Sequence, residues 1–367
     1  MPVSLVRIRK PGAVKAYLSQ KRRIQLTAVP IIAEPLTLHL RTPFRIAYGS
    51  STVRENVLVR IGDGVGEGAL PPYYAYRIDE VLAYLQGLDA DRLLGNGAFY
   101  LEDALDLLPP GPAPARAAAD IALHDHWGRT LGFPLYQLWG LNPASAPVSS
   151  ITLSIPETLD ALRTRARSVA DLPLLKLKLG SGSLERDEQI VRTVREETRA
   201  QVCVDANGSW SVEEAVMLIP RLGDLGVLFV EQPIAAGDHE SWRRLRASLP
   251  PEHPTLIADE SIQQPADVLA LADSIDGINI KLTKTGGIRG ARRMIELARA
   301  LGLSVMLGCM IESSVAITAA AHLAPLVDFA DLDGNIDLVR DPFSGMKLVQ
   351  GQIHLPTDPG LGVTPDS

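Results

Sequence analysis

Leu36, Leu38 and Leu40 alternate with Thr37 and His39, the two-residue period of a strand with one buried face. Residues 57–61 form a second, mostly apolar run. Turn residues bound both runs: Thr42-Pro43 after the first, and Gly62, Gly64 and Gly66 after the second. Residues 24–70 therefore read as strands. From about Asp79 to Trp127 the period lengthens to that of a helix, with Val81, Leu82 and Leu85 and later Ala118, Ile121 and Ala122 on shared faces. The proline-rich residues 109–114 break that stretch. The opening block, residues 1–140, predicts an α+β domain that includes an N-terminal extension over about residues 1–22.

From about residue 147 the rhythm changes. Short apolar, β-branched runs alternate with amphipathic helical stretches, which predicts repeated βα units and a parallel sheet. Strands are expected at 149–154, 174–178, 201–205, 227–231, 255–259, 278–281, 304–308 and 328–331. Eight parallel strands close a barrel. The fold class is thus α/β, a (β/α)₈-type barrel over residues 141–340 with an α+β domain before it. The tail, 341–367, holds no further βα unit and is expected to return to the opening domain and complete it.

Hydrophobic residues make up 46% of the 367 and charged residues 22%, the profile of a soluble globular chain. A net charge of −7 argues against nucleic acid as a partner, because such surfaces carry basic patches. The basic pairs Arg22-Arg23 and Arg243-Arg244 are short and read as solvated surface. No stretch is apolar enough to span a bilayer, and residues 1–23 hold no secretion-signal core. Cys203 and Cys309 are too few for a disulfide framework and have apolar flanks, which suggests buried thiols in a reducing, cytoplasmic setting. Nothing here excludes a homo-oligomer.

The chemistry lies at the strand ends. The second predicted strand ends on Lys178, the third on Asp205, the fourth on Glu231, the fifth on Asp259 and the sixth on Lys281. One such ending is an ordinary start to a solvated loop; five in succession are not. The carboxyl ends of barrel strands share one mouth, where active sites lie. Three carboxylates gathered there repel one another unless a cation lies between them. Donors that are all oxygen favour a hard ion such as Mg²⁺, with Mn²⁺ able to substitute. Lys176 and Lys178, two apart on a strand, point to the same face. Crowded ammonium groups beside a metal lower a lysine pKa, which must fall roughly 2–3 units for work as a base near neutrality. Lys281 approaches from the far side of the mouth. Two bases on opposite faces of one carbon can remove a proton and return it to the other side.

The runs Leu-Lys-Leu-Lys-Leu at 175–179, Val-Asp-Ala-Asn-Gly at 204–208, Val-Glu-Gln-Pro at 230–233, Ala-Asp-Glu-Ser at 258–261 and Asn-Ile-Lys-Leu-Thr-Lys-Thr-Gly-Gly at 279–287 resemble the enolase superfamily. They are most similar to its muconate-lactonizing subgroup, whose sites pair a Lys or His base with Mg²⁺. The resemblance covers nearly the whole chain and implies that the opening block is a capping domain. Thr42-Pro43-Phe44 would lead its specificity loop, and residues 118–128 would be its last helix. It also implies that Asp205, Glu231 and Asp259 hold the metal, that Lys178 and Lys281 are the acid–base pair, and that Lys176 tunes Lys178. Lysine on the sixth strand, in place of the His–Asp arrangement of mandelate racemases, sets the subgroup.

Within that subgroup, Asp331 and Asp333 close the eighth strand on one face, roughly 6–7 Å apart. The pair forms a cradle for an ammonium and is similar to the aspartates with which dipeptide epimerases hold a peptide N-terminus. The resemblance therefore implies an isomerase that epimerises a dipeptide at the alpha carbon of its C-terminal residue. Thr152 is a further candidate substrate contact, as are Tyr48 and Gly49 in the first capping loop. Relatives acting on Ala-Glu typically carry an arginine where Gly49 stands, which points to a neutral or hydrophobic dipeptide; Arg45 and Arg54 are the nearby cations. The rival readings are a cycloisomerase or lyase of the same subgroup, such as muconate cycloisomerase or o-succinylbenzoate synthase, and a barrel that binds without catalysis.

Overall fold

The computed structural model describes residues 31–95 and 99–366. The expected extension over residues 1–22, and the start of the strand region at residue 24, lie outside the described residues. Strands β1 (Ile32–Ile46) and β2 (Gly49–Ile61) form a long antiparallel hairpin, paired from Ile32↔Arg60 to Ile46↔Gly49. The turn expected at Thr42-Pro43 is not there. The ladder instead loses register between His39 and Phe44 and resumes beyond, so the proline occupies an irregular stretch where no ladder hydrogen bond is required of it.

A second expectation is also corrected. Gly64 and Gly66, read as turn residues, belong to a third strand, β3 (Gly64–Ala69), antiparallel to β2. The glycines are there because the helix Ala113–Leu131 lies flat across the strand. A Cβ on Gly64, Gly66 or Gly68 would come within 2.0, 2.0 or 2.2 Å of the carbonyl oxygens of Ala122, Ala118 and Pro114. Two strand residues advance about 6.6 Å and four helix residues about 6.0 Å, so the close contact can repeat. The same face of the sheet buries Val57, Val59 and Ile61, the cross-strand partners of those glycines, against Leu123 of that helix and against Leu85 and Leu105.

The barrel strands follow in sequence order: β4 (Ile151–Leu153), β5 (Leu174–Lys178), β6 (Gln201–Asp205), β7 (Val227–Glu231), β8 (Thr255–Ala258), β9 (Gly277–Ile280), β10 (Ser304–Gly308) and β11 (Phe329–Asp331). All neighbours are parallel, and a bridge from Ser149 to Ala330 joins the last to the first, with Ser150 N–H donating to Ala330 O at 2.9 Å. Leu174, Cys203, Phe229, Ile257 and Met306 point inward and plug the barrel below the mouth. Several of the surrounding helices are amphipathic and capped; Ser211 and Glu214 form a reciprocal capping box before Val212–Asp224.

The tail folds into two short antiparallel pairs, Phe343–Ser344 with Thr364–Pro365 and Lys347–Val349 with Gln352–His354. It runs along the helix of the opening block. Leu361 N–H donates to Asp125 Oδ1 at 2.7 Å, and Arg129 reaches Val363 O at 3.1 Å. Cys203 is buried in β6, and Cys309 follows β10; neither is in a disulfide. No helix among the described residues is long and apolar enough to cross a membrane.

Candidate active site

Register brings the charged residues together. Lys178 on β5 pairs across the ladder with Asp205 on β6, and Asp205 with Glu231 on β7. Asp259 and Lys281 each lie one residue past their strand. Asp205, Glu231 and Asp259 are fully buried and bring one carboxylate oxygen each to within 4.8 Å of the others. The Lys178 ammonium donates to Asp205 Oδ2 at 2.5 Å, and that of Lys281 to Asp259 Oδ2 at 2.7 Å. Lys176 stands between the carboxylates, 2.7 Å from both Glu231 Oε2 and Asp331 Oδ2 and 3.3 Å from Asp205 Oδ2.

Burial penalises all these charges, and proximity decides which survive. Burial and the charge of Asp205 push the Glu231 carboxyl up to about 8. Asp259 goes the other way: burial would raise it, but Lys281 and Lys284 hold it well below the usual carboxylate range. Burial pulls Lys176 down, yet Asp331, Glu231 and Asp205 more than offset this and keep it well above its ordinary value.

The donor set fits a hard divalent cation. Glu231 Oε2 accepts no hydrogen bond, the nearby Lys176 ammonium serving it only as charge. Asn207 Oδ1 and Glu260 Oε2, beside Asp205, also lack a donor. Buried oxygens left without donors beside a converging carboxylate triad are what an oxygen-ligated ion requires.

Above this floor opens a cavity of about 560 Å³, lined among others by Phe44, Tyr73, Thr152, Lys176, Lys178 and Lys281. At its β4–β11 side, Asp331 and Asp333 share Thr152. Thr152 N–H donates to Asp333 Oδ2 at 2.6 Å, and its hydroxyl lies 3.3 Å from an oxygen of each aspartate. The two aspartates are unequal. Asp331 is matched by Lys176 and the Ser150 hydroxyl at 2.6 Å. Asp333 has no cation within 4.0 Å among the described residues, and burial with the charge of Asp331 pushes it up to about 7.

Tyr48 and Gly49 are placed differently. They occupy the tip of the β1–β2 hairpin, and neither lines the cavity. The Tyr48 ring is half exposed and stacks at 5.1 Å on Tyr73, which does line it.

Several supporting residues escaped the sequence reading. Lys284 donates to Asp259 O at 2.6 Å and also to its carboxylate, and Asn279 Nδ2 donates to Glu231 Oε1 at 2.7 Å. Both stand inside the Asn-Ile-Lys-Leu-Thr-Lys run, so the signal was present. Glu67 carries no such local signal. It is buried under the cap and accepts from Asn56 at 2.8 Å, from the Ser313 hydroxyl at 2.6 Å and from Ser313 N–H, fastening β3 to the start of the helix Ser314–Ala321.

Comparison with known proteins agrees with this geometry. The family described as mandelate racemase / muconate lactonizing enzyme, N-terminal domain, matches residues 27–140, and the enolase C-terminal domain-like family matches 161–367. The L-Ala-D/L-Glu epimerase of Bacteroides thetaiotaomicron is 40% identical over 90% of this chain and 86% of its own length. A substrate-liganded structure of the L-Ala-D/L-Glu epimerase from Bacillus subtilis is 29% identical, with a TM-score of 0.84 over 92% of this chain and 99% of that one. A dipeptide epimerase from Methylococcus capsulatus, complexed with Mg and the dipeptide L-Arg-D-Lys, is 33% identical, with a TM-score of 0.79 over 91% and 98%.

Proposed function

The chain belongs to the enolase superfamily, in its mandelate racemase / muconate lactonizing enzyme family, and on that premise we propose that it is an isomerase that epimerises dipeptides by two-base proton transfer. One observation carries the mechanism. Lys178 and Lys281 stand four strands apart round an eight-stranded barrel, and each clasps a different carboxylate of the same triad. An alpha carbon held above that triad has one lysine on each face. Whichever lysine is neutral takes the proton, and the other, protonated, returns one to the opposite face. Lys176, fixed as a cation among Glu231, Asp205 and Asp331, adds positive charge near the developing anion.

Asp205, Glu231 and Asp259 would hold Mg²⁺, or Mn²⁺ in its place. That ion would supply Lewis-acid stabilisation of the charge that a carboxylate gains as its alpha proton leaves. The Methylococcus relative's complex with Mg supports this assignment. Asp333 receives the dipeptide ammonium, with Asp331 behind it and Thr152 fixing the orientation of both. A free ammonium on the substrate distinguishes this reading from a cycloisomerase or lyase acting on an amine-free acid. Tyr48 covers Tyr73 from outside, and Gly49 leaves the hairpin tip uncharged; whatever selects side chains therefore lies deeper. The unpaired cysteines support a reducing, cytoplasmic setting.

The test is deuterium incorporation from D₂O into a mixed dipeptide library with Mg²⁺, read by mass spectrometry. Label at the alpha carbon of C-terminal residues, lost with a chelator and restored by Mg²⁺, is the expected result. A metal-loaded protein that labels no dipeptide but turns over an amine-free acid would overturn the reading.

A further inference from the structure

We propose that a second cavity, on the seam between the capping helix and the barrel, binds a phosphate-sized oxyanion, as free phosphate or as a phosphomonoester. It encloses about 190 Å³ and is lined among others by Arg116, Asp120, Gln263, Gln264, Arg289 and Arg293. None of these six lines the substrate cavity. Arg116 comes from the capping helix Ala113–Leu131, and the glutamines from the loop before helix Pro265–Leu271. Arg289 and Arg293 belong to the barrel helix Ile288–Ala300. Three guanidinium groups thus converge from two domains. Arg289 is matched: its Nη1 donates to Asp106 Oδ1 at 2.5 Å and lies 3.4 Å from Glu102 Oε2. Among the described residues Arg116 and Arg293 have no carboxylate within 4.0 Å and donate no hydrogen bond, and the Arg116 Nε is buried without an acceptor.

A guanidinium stays charged, and a buried donor without an acceptor calls for a partner. Arg289 and Arg293 stand four residues apart on one helix, where like charges repel, and Arg116 adds a third from across the seam. The arrangement repeats the logic of the carboxylate triad with the signs exchanged: like charges gathered from separate elements require a counter-ion. Asp120 is the one carboxylate in the lining, and it is engaged elsewhere. Its Oδ1 accepts from Ile288 N–H at 2.6 Å and lies 3.1 Å from His124 Nδ1, and both its oxygens lie 3.4 Å from Arg289 N. The positive end of the barrel helix thereby holds its charge. Size narrows the ligand. The volume is several times what one water needs but about a third of the 560 Å³ of the substrate cavity, too little for a dipeptide. Gln263, Gln264 and Arg293 are exposed, so the cavity opens outward and the organic part of an ester can project from it. Guanidinium groups on several sides suit the oxygens of a tetrahedral phosphate better than the two of a carboxylate. Thr285, also in the lining, donates to Lys281 O at 3.3 Å. An anion here therefore ties the capping helix to the turn that follows Lys281, and should stabilise the seam.

The experiment melts the Mg²⁺-loaded protein against inorganic phosphate, phenyl phosphate and acetate, at an ionic strength held constant with chloride, and repeats each titration by calorimetry. It uses the wild type, Arg116→Met and Arg293→Met. No dipeptide is present, so the outcome is independent of the epimerase reading. In the wild type, phosphate should raise Tm saturably by on the order of 3 °C. Each variant should lose most of that rise, with Kd for phosphate weakened at least about 10-fold. A matching shift with phenyl phosphate assigns the site to phosphomonoesters, and a shift with the free ion alone assigns it to free phosphate; either supports the proposal. No saturable shift in the wild type, or an equal shift with acetate, overturns it. A phosphate shift unchanged in both variants also overturns it, by moving the anion to other cations such as the lysines of the mouth. Should Arg116→Met fold poorly, the exposed Arg293 decides through Arg293→Met alone.

Discussion

The barrel mouth and the capping sheet face each other across one cavity, yet they treat charge in opposite ways. At the mouth, Lys176, Lys178 and Lys281 interlock with carboxylates at distances of 2.5–2.7 Å, and Lys284 and Asn279 brace them from behind. On the capping side, Arg54 is buried with no carboxylate within 4.0 Å among the described residues, and Tyr48 lies half in solvent. The mouth pairs its lysines with carboxylates, whereas the cap leaves Arg54 to a main-chain oxygen. Proximity at the mouth is thus set by ladder register within one sheet, whereas the cap lines the cavity only through its packing on the barrel.

Changes at the mouth should strike turnover whatever the side chains. Lys178→Ala and Lys281→Ala are each expected to lower epimerisation at least about 10³-fold for acidic and neutral dipeptides equally. Residual exchange in the two variants should favour opposite configurations of the C-terminal residue. Chiral analysis of the labelled product checks this, and full epimerisation by either variant would sink the two-base scheme.

A smaller effect is expected where the two regions meet the substrate together. Asp333→Asn should raise KM for dipeptides by on the order of 100-fold while leaving Mg²⁺ affinity nearly unchanged, as read by calorimetry. Its pH dependence has a defined sign. The Asp333 carboxyl is pushed up to about 7, and only its anion holds an ammonium, so wild-type KM should rise as pH falls through about 7. In Asp333→Asn that rise should be absent. Equal losses of metal and dipeptide binding would argue against the ammonium role.

The smallest expected effect concerns stability at the seam between the regions. Glu312 is buried beside Glu67, and burial together with that neighbour pushes its carboxyl up to about 7. A carboxyl raised above its unfolded value stabilises the fold below that unfolded value, and the benefit is lost as pH rises through about 7. Glu312→Gln should therefore gain about 1 kcal/mol at pH 8 and little at pH 5, by denaturant titration at both. A gain that ignores pH would locate the effect in packing.

The same division explains what could be read before the fold was known. Lys178, Asp205, Glu231, Asp259 and Lys281 mark strand ends at near-regular spacing, and parallel register converts that spacing into proximity. Thr152 and the two aspartates follow because the last strand closes on the first. Arg54 and Glu67 have no comparable pattern: Arg54 is one of several polar residues in its half of β2, and Glu67, alone among glycines and apolar residues, meets Ser313 from 246 residues away. Gly64 and Gly66 misled for a related reason. Their smallness answers a helix some sixty residues later, which a local turn preference cannot register.

That glycine strand acts as a vernier. Its steps and those of the helix differ by about 0.6 Å per contact, so the match lasts for three contacts and tolerates no added or lost residue within them. Insertions and deletions are thereby barred from the part of the cap that rests on the helix. They are left to the hairpin tip around Tyr48 and Gly49, beyond the vernier and over the cavity rim. A length change in this hairpin is therefore expected to be taken up at the tip, beside the cavity.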